Sequence, residues 1–591
     1  MTFTPPASFT TRPTLRGTFG MSASTHWTAT ATAQAVLERG GNAFDAAVAA
    51  GFVLHLVEPH LNGPGGDLVA LVRPAGADAP VVLMGQGPAP AAASIDHFRS
   101  LGLDLVPGAG GLAAAVPGAV DAWLLLLRDH GTWELAEVLA YAVGYARDGH
   151  PLVAGAAATI ARVADLFHAH WPTSAERWMP SGSPPAPDTL TRNPAWATVL
   201  DALIHAGGTD RESRTEAARV RWMTEVLPEA ATFLRRPHRH ADGGDHPGIL
   251  DAEDLKSWRA GWEPAETVSF RGWDVFKAGV WSQGPALLQT LRMIEDADDE
   301  HLDPGTAEGA HLLLEAQKLA YADRDAWFGD TEEAVEIAAL LDDDYIAARR
   351  ALIGPRASPD LRPGAPDGRP PALPPLRTEA AVADGSTGEP TVDRAGQTRG
   401  DTCHIDVIDR WGNAVSATPS GGWLQSSPTV PALGFCLGTR LQATWLVPGR
   451  AASLTPGRRP RTTLTPTLLT RGKEVIAMGS PGGDQQDHWQ LPVMLRMLVG
   501  GYSAQQAIDA PTLNTTALID SFWPRTWVPA GASVEDRLGD AVISALEARG
   551  HRVRRTGDWS LGRVTAVGRD ADGVLWAAAN PRGAQGYAAG R

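Results

Sequence analysis

Gly400-Asp401-Thr402-Cys403-His404-Ile405-Asp406-Val407 is the stretch on which the reading of this chain turns. From Thr402 onward the residues alternate. Cys403, Ile405 and Val407 can face a core while Thr402, His404 and Asp406 face the other way, the pattern of a strand with one polar side. Asp409-Arg410-Trp411-Gly412-Asn413 then reads as a turn into a second strand, Ala414 to Thr418. A threonine hydroxyl is a poor nucleophile until a base takes its proton. One solution is to cut the chain in front of it, so that its own freed α-amine becomes that base. Thr402 is placed for this, with the cut falling between Asp401 and Thr402. On spacing alone, it also reads as an ordinary surface threonine that opens an edge strand.

Immediately upstream, residues 354–400 are dense in Pro, Gly, Asp and Arg and too poor in apolar residues to bury a core, so an exposed, mobile linker is expected. The whole chain is different in character. It has 591 residues, 43% hydrophobic and only 20% charged, enough for a large core, and length alone would suggest about four domain equivalents. Strand-rich ends around a helical middle argue instead for one interleaved α/β unit. A net charge of −16, from 51 basic against 67 acidic residues, argues against nucleic acid and against an anionic membrane surface, both of which need clustered Lys and Arg. Two cysteines, Cys403 and Cys436, make no disulfide framework and no CxxC site, and are expected as buried strand residues. No secretory signal opens the sequence. The longest apolar patch, Ala43 to Val57, contains Asp45 and His55 and is too short to span a bilayer, which leaves a cytoplasmic location as the expectation.

A helix is expected to enter at Ser24-Thr25 or Thr28 and run to Leu37, and Asn42 to cap a second over Ala43 to Leu56. Leu61-Asn62-Gly63-Pro64-Gly65-Gly66-Asp67 is a glycine loop leading into strands Leu68–Val72 and Val81–Met84. A dinucleotide fingerprint needs strand, glycine loop, helix; here the order is helix, loop, strand, which speaks against phosphate binding. The histidines of Pro237-His238-Arg239-His240-Ala241-Asp242-Gly243-Gly244-Asp245-His246 are of zinc-ligand type, yet they have no helical pairing and no partner cluster, so a solvated loop is expected. No metal and no cofactor is expected.

Five ordered blocks resemble the γ-glutamyltranspeptidase family of N-terminal-nucleophile hydrolases. They are Gly40 to Ala49 with Val57-Glu58-Pro59-His60 and the glycine loop; His311 to Asp330; Asp401-Thr402-Cys403-His404; Arg459 to Thr467; and Gly479-Ser480-Pro481-Gly482-Gly483. The resemblance implies a four-layer αββα sandwich built by a large subunit, residues 1–401 ending in the linker, and a small catalytic subunit, residues 402–591, which stay associated. It implies that Thr402 cuts the precursor and later attacks substrate. Ser420 falls where the family has a second threonine bonded to the nucleophile, Gly482 and Gly483 would supply the oxyanion N–H groups, and Thr462 and Thr463 would bind a substrate carboxylate.

The sequence departs from the family where γ-glutamyl specificity resides. The clamping arginine falls at or near Gln86, a neutral amide that gives up a bidentate ion pair, and the acid that holds the α-amine falls at Gln442 or Ala443. Gly422 stands where the family has a polar side chain. Trp423, Gln425, Arg440 and the Asp484 to Trp489 run are distinctive and can line a different pocket. The chain is thus more similar to the branch with oxamate amidohydrolases, and to relatives that release an oxalyl group by cutting a C–C bond. The resemblance implies an autoprocessed hydrolase acting on a small acyl compound, most simply a carboxylate-bearing amide. The alternatives are a γ-glutamyl transferase or glutathione hydrolase with Arg440 as the carboxylate clamp, an oxalyl-releasing C–C hydrolase, and a binding protein without turnover.

Overall fold

The computed structural model describes residues 3–377 and 402–591. Two seven-stranded antiparallel sheets carry the structure. One runs, in spatial order, Leu15–Gly17, Leu575–Ala578, Thr565–Arg569, Glu474–Gly479, Thr467–Arg471, Trp273–Lys277, Glu266–Phe270. The other runs Tyr587–Gly590, Gly20–Ser24, Ile405–Asp409, Ala414–Ser420, Asp67–Arg73, Val81–Gly85, Gly261–Pro264.

Three apolar cores separate four layers, and their membership defines the sandwich. Between the sheets lie Met21, Val69, Leu71 and Ile408 from one and Leu468, Val475, Ala477 and Val567 from the other. Outside the second sheet, helices Trp27–Glu38, Ala43–Val57, Ala119–His130 and Leu135–Asp148 bury their inner faces on Leu68, Ala70, Ile405, Val407 and Val415. Outside the first, helices Pro285–Ile294, Ala307–Trp327 and Gln486–Leu498 cover Val275, Leu469, Ile476 and Met478. This is the expected αββα order, because each sheet must bury two apolar faces and each helix one.

The alternation around Thr402 holds. Cys403, Ile405 and Val407 join the helix-side core. His404 and Asp406 turn into the space between the sheets, where the Asp406 carboxylate accepts from Thr565 Oγ1 of the facing sheet at 2.9 Å. Thr402 itself is fully buried, so the surface edge-strand reading is wrong. The second strand runs on past Thr418 to Ser420.

The helix starting at Ala43 is capped as its sequence predicts. Asn42 Oδ1 accepts from the Phe44 and Asp45 N–H groups at 2.9 Å, and the Asp45 carboxylate returns to the Asn42 N–H at 2.9 Å. The preceding helix starts at Trp27, one residue before the later of the two expected entries, Thr28, and not at Ser24-Thr25. Ser24 stays in its strand, and the cap is the His26 ring, whose Nδ1 accepts from Thr28 N at 3.1 Å.

Three other expectations need correction. The histidine run is no solvated loop: it is a small hairpin in which His238 Nε2 accepts from Gly111 N at 2.8 Å and buried His240 Nε2 accepts from Leu112 N at 3.0 Å. Both cysteines are buried, but neither is a strand residue: Cys403 precedes the strand Ile405–Asp409 and Cys436 sits in a loop. The expected mobile linker lies outside the described residues from 378 to 400, as does Asp401. Its described part is tied down: Trp327 Nε1 donates to Gly364 O at 3.0 Å, Gly364 N donates to the Asp323 carboxylate at 2.6 Å, and Arg362 pairs with Glu315 at 3.1 Å.

Candidate active site

Adjacent strand ends set out the site in order. Thr402 forms an antiparallel bridge with Ser420, and their hydroxyl oxygens are 3.3 Å apart. Ser420 in turn pairs with Asp67 on the next strand, and Leu68 pairs with Gly85 on the one after, so Gln86 follows immediately. Asp67 holds Arg440 through two contacts, Nε to Oδ2 at 2.6 Å and Nη2 to Oδ1 at 3.0 Å. The third guanidinium nitrogen, Nη1, is buried and makes no hydrogen bond among the described residues. Gln86 Nε2 donates to Gly87 O at 3.0 Å while its Oε1 has no partner. Buried polar atoms without partners are uncommon, and here they gather at one end of one sheet.

The glycine loop is pressed against the strand end that bears Ser420. A Cβ on Gly66 would lie 2.0 Å from Ser420 O, so no other residue fits there. Trp423 braces the same loop by donating its indole N–H to Leu61 O at 2.8 Å.

The facing sheet delivers a second loop. Ser416 Oγ donates across the gap to Met478 O at 3.1 Å, and the chain then leaves the strand Glu474–Gly479 into Ser480 to Asp484. Gly482 takes φ +111°, a backbone conformation suited to glycine. The Gly482 and Gly483 carbonyls are occupied by the Gln486 side chain and N–H. Their own N–H groups donate to nothing among the described residues, although both glycines are buried. Two adjacent buried donors without an acceptor are what an oxyanion requires.

Asp484 fixes this loop. Its carboxylate accepts from Ser521 N at 2.8 Å, from Ser521 Oγ at 2.5 Å and from Arg324, and its carbonyl accepts from Tyr321 OH at 2.8 Å. Of the two predicted carboxylate-binding threonines, Thr462 has its hydroxyl occupied by Leu464 N at 3.3 Å, whereas the Thr463 hydroxyl is buried and unpartnered.

The groups beside Thr402 are protonated or already engaged. Burial and the adjacent Glu58 carboxyl push the Cys403 thiol well above its ordinary value, so it stays protonated and a poor nucleophile. Glu58 is itself raised by burial, and its Oε2 accepts from Thr25 Oγ1 at 2.6 Å and Cys403 Sγ at 3.0 Å. Both His404 nitrogens are engaged, one with Thr418 Oγ1 at 2.9 Å and one with Asp406 at 2.8 Å. His311, Glu315 and His551 come together as a trio of metal-ligand type, but Glu315 already pairs with Lys318 at 2.5 Å and Arg362 at 3.1 Å.

Asp67, Arg324 and Ser521 escape the sequence reading. Asp67 closes the glycine loop in plain view, but its partner is distant in sequence. Arg324 lies within the His311 to Asp330 block, where its side-chain direction is not written.

The Gamma-glutamyltranspeptidase family model matches residues 29–590. The Glutathione hydrolase-like YwrD proenzyme of Bacillus subtilis is 30% identical, over 96% of this chain and 98% of the relative. The Oxamate amidohydrolase proenzyme of Klebsiella pneumoniae is 30% identical, over 97% of this chain and 98% of the relative. The solved structure of LmbA2991HD is 52% identical, superposes with a TM-score of 0.93, and covers 99% of this chain and 100% of its own.

Proposed function

The chain belongs to the gamma-glutamyltranspeptidase family and is an enzyme, and from that premise we propose that it is an autoprocessed amidohydrolase or acylase whose substrate carries a carboxylate beside the scissile carbonyl. Thr402 Oγ1 first attacks the carbonyl of residue 401, and hydrolysis of the resulting ester frees the Thr402 α-amine. That amine then takes the hydroxyl proton as Thr402 attacks substrate. The Ser420 hydroxyl, 3.3 Å away, steadies the nucleophile, and the Gly482 and Gly483 N–H groups receive the oxyanion. Losing one such donor typically costs about 2.7–4 kcal/mol of transition-state stabilisation.

The observation that carries the substrate class is Arg440. Asp67 takes two of its nitrogens and leaves Nη1 free one strand from Ser420, with the Thr463 hydroxyl and Gln86 also uncommitted. A γ-glutamyl substrate needs a second clamp for its α-amine, and Gln442 gives none. Its Nε2 is bound to Thr439 Oγ1 at 2.9 Å and its Oε1 accepts from Trp523 N at 3.1 Å. A compact oxo-acid amide needs only the anion site. The same anchor would serve an oxalyl group released from carbon, so the assay includes both bond types.

Cleaved protein should turn over oxamate-type amides and leave γ-glutamyl-p-nitroanilide nearly untouched. Arg440→Gln should lower kcat/KM about 10- to 100-fold, mostly through KM, as expected for one charge-assisted hydrogen bond. Efficient γ-glutamyl turnover by the wild type, with Arg440→Gln silent, would overturn the substrate class.

A further inference from the structure

Behind the glycine loop is a small cavity of about 20 Å³ that the threonine chemistry does not use. Gly63 and Gly422 form one wall, and Trp178, Trp196 and Phe435 form much of the rest. Arg177, in the helix Pro172–Trp178, also lines it. Its guanidinium lies over the Trp178 ring at 4.1 Å, its Nε is buried without a partner, and among the described residues it takes part in no hydrogen bond or ion pair. Other inward-facing arginines have a partner. Arg219, Arg324, Arg440 and Arg582 each meet a carboxylate, while Arg461, Arg496 and Arg525, which meet none, donate to a hydroxyl or to backbone carbonyls.

Nothing else in the wall can neutralise it. Burial pushes the Cys436 thiol up to about 11, so it is uncharged near neutral pH. Burial pulls His55 down to about 3, so that ring is neutral too. Arg177 is half-buried, and desolvation pulls its guanidinium down to about 10. A desolvated cation without a counter-charge is costly, and a water molecule would satisfy its N–H groups without balancing its charge. The volume decides the size of what can. A cavity needs about 10–15 Å³ on this measure to hold one water, so this one takes a single water or a monatomic anion and no larger acid.

We propose that the cavity is a binding site for one halide-sized monoanion, chloride under ordinary conditions, paired with Arg177. The ion would buttress the framework of the reaction centre. Gly63 opens the loop whose Gly66 presses on Ser420, and Gly422 lies two residues beyond Ser420. Occupancy would stiffen both walls without entering the chemistry.

The test compares thermal unfolding of the full protein in sodium chloride, sodium bromide and sodium gluconate at equal ionic strength. Either halide should raise the wild-type Tm saturably by about 1–3 °C over gluconate. The increment should vanish in Arg177→Met and persist in part in Arg177→Lys. A bromide-soaked wild-type crystal should give an anomalous peak beside the Arg177 guanidinium, a readout that needs no variant to fold. Equal halide increments in wild type and Arg177→Met, or an empty cavity in the bromide crystal, would overturn the proposal.

Discussion

Arg440 and Asp67 are 373 residues apart in sequence and 2.6 Å apart in space. A buried pair of this kind contributes little net stability, but removing one partner strands the other, typically at about 3–5 kcal/mol. The tether also fixes the direction of the remaining N–H, which a flexible lysine would not do. Arg440→Lys should therefore bind substrate poorly despite keeping its charge. The other decisive residue has no base of its own. The Cys403 thiol is protonated and both His404 nitrogens are engaged, which supports the proposed mechanism, in which the proton acceptor for Thr402 is its own freed amine. An unperturbed α-amine titrates at about 7.7–8.0, and only its free base can act, so activity should rise with pH through an apparent pKa at or below that range. The proton inventory is simple to check. Selective acylation of the new amine should abolish activity, and an unchanged pH–rate profile after that treatment would rule the amine out.

At the scale of elements, the glycine loop and the loop from Ser480 to Asp484 are held by opposite means, one by lack of side chain and the other by charge. Gly66→Ala would drive a methyl into Ser420 O, which a Cβ would approach to 2.0 Å, so the variant should fail to process while still folding its outer helices. Circular dichroism alongside a denaturing gel separates those outcomes. Beside the Ser480 to Asp484 loop, Asp520 is pushed up to about 7 by burial and by the Asp484 carboxylate. An unfolded aspartate titrates near 3.9, so the folded state binds this proton more tightly. The resulting stabilisation is complete below about pH 4 and is lost as pH climbs through about 7. Asp520→Asn, which mimics the protonated form, should flatten the fall of Tm over that window, and a slope equal to wild type would remove Asp520 from the account. Much of this architecture was legible beforehand. Asn42 and Asp45 announce a capped helix, and the 402–407 alternation announces a half-polar strand, because both signals are local. The choice between an entry at Ser24-Thr25 and one at Thr28 was not legible, since Ser24 and Thr25 resemble caps until strand pairing claims Ser24. The Asp67 tether and the Asp484 anchor were illegible for the same reason: each joins segments that only the folded sandwich brings together.

Across the whole molecule, the point of cutting matters less than what surrounds it. Strands from residues 402–591 and strands from the large segment are neighbours in both sheets: Ile405–Asp409 lies beside Gly20–Ser24, and Trp273–Lys277 beside Thr467–Arg471. Among the described residues, no helix is long and apolar enough to cross a membrane. The two products of a cut before Thr402 should therefore elute together in gel filtration and part only in denaturant; separate elution would contradict the shared sheets. The interleaving also has a history written into it. One continuous chain can thread two sheets because every strand arrives on a tether, at high effective concentration. Once severed, the halves would have to find each other from solution and rebuild at once the five strand pairings that join them among the described residues. The mature enzyme would thus persist as a kinetically trapped product of its own precursor. Heat or denaturant should inactivate it for good, while the uncut Thr402→Ala precursor regains its fold.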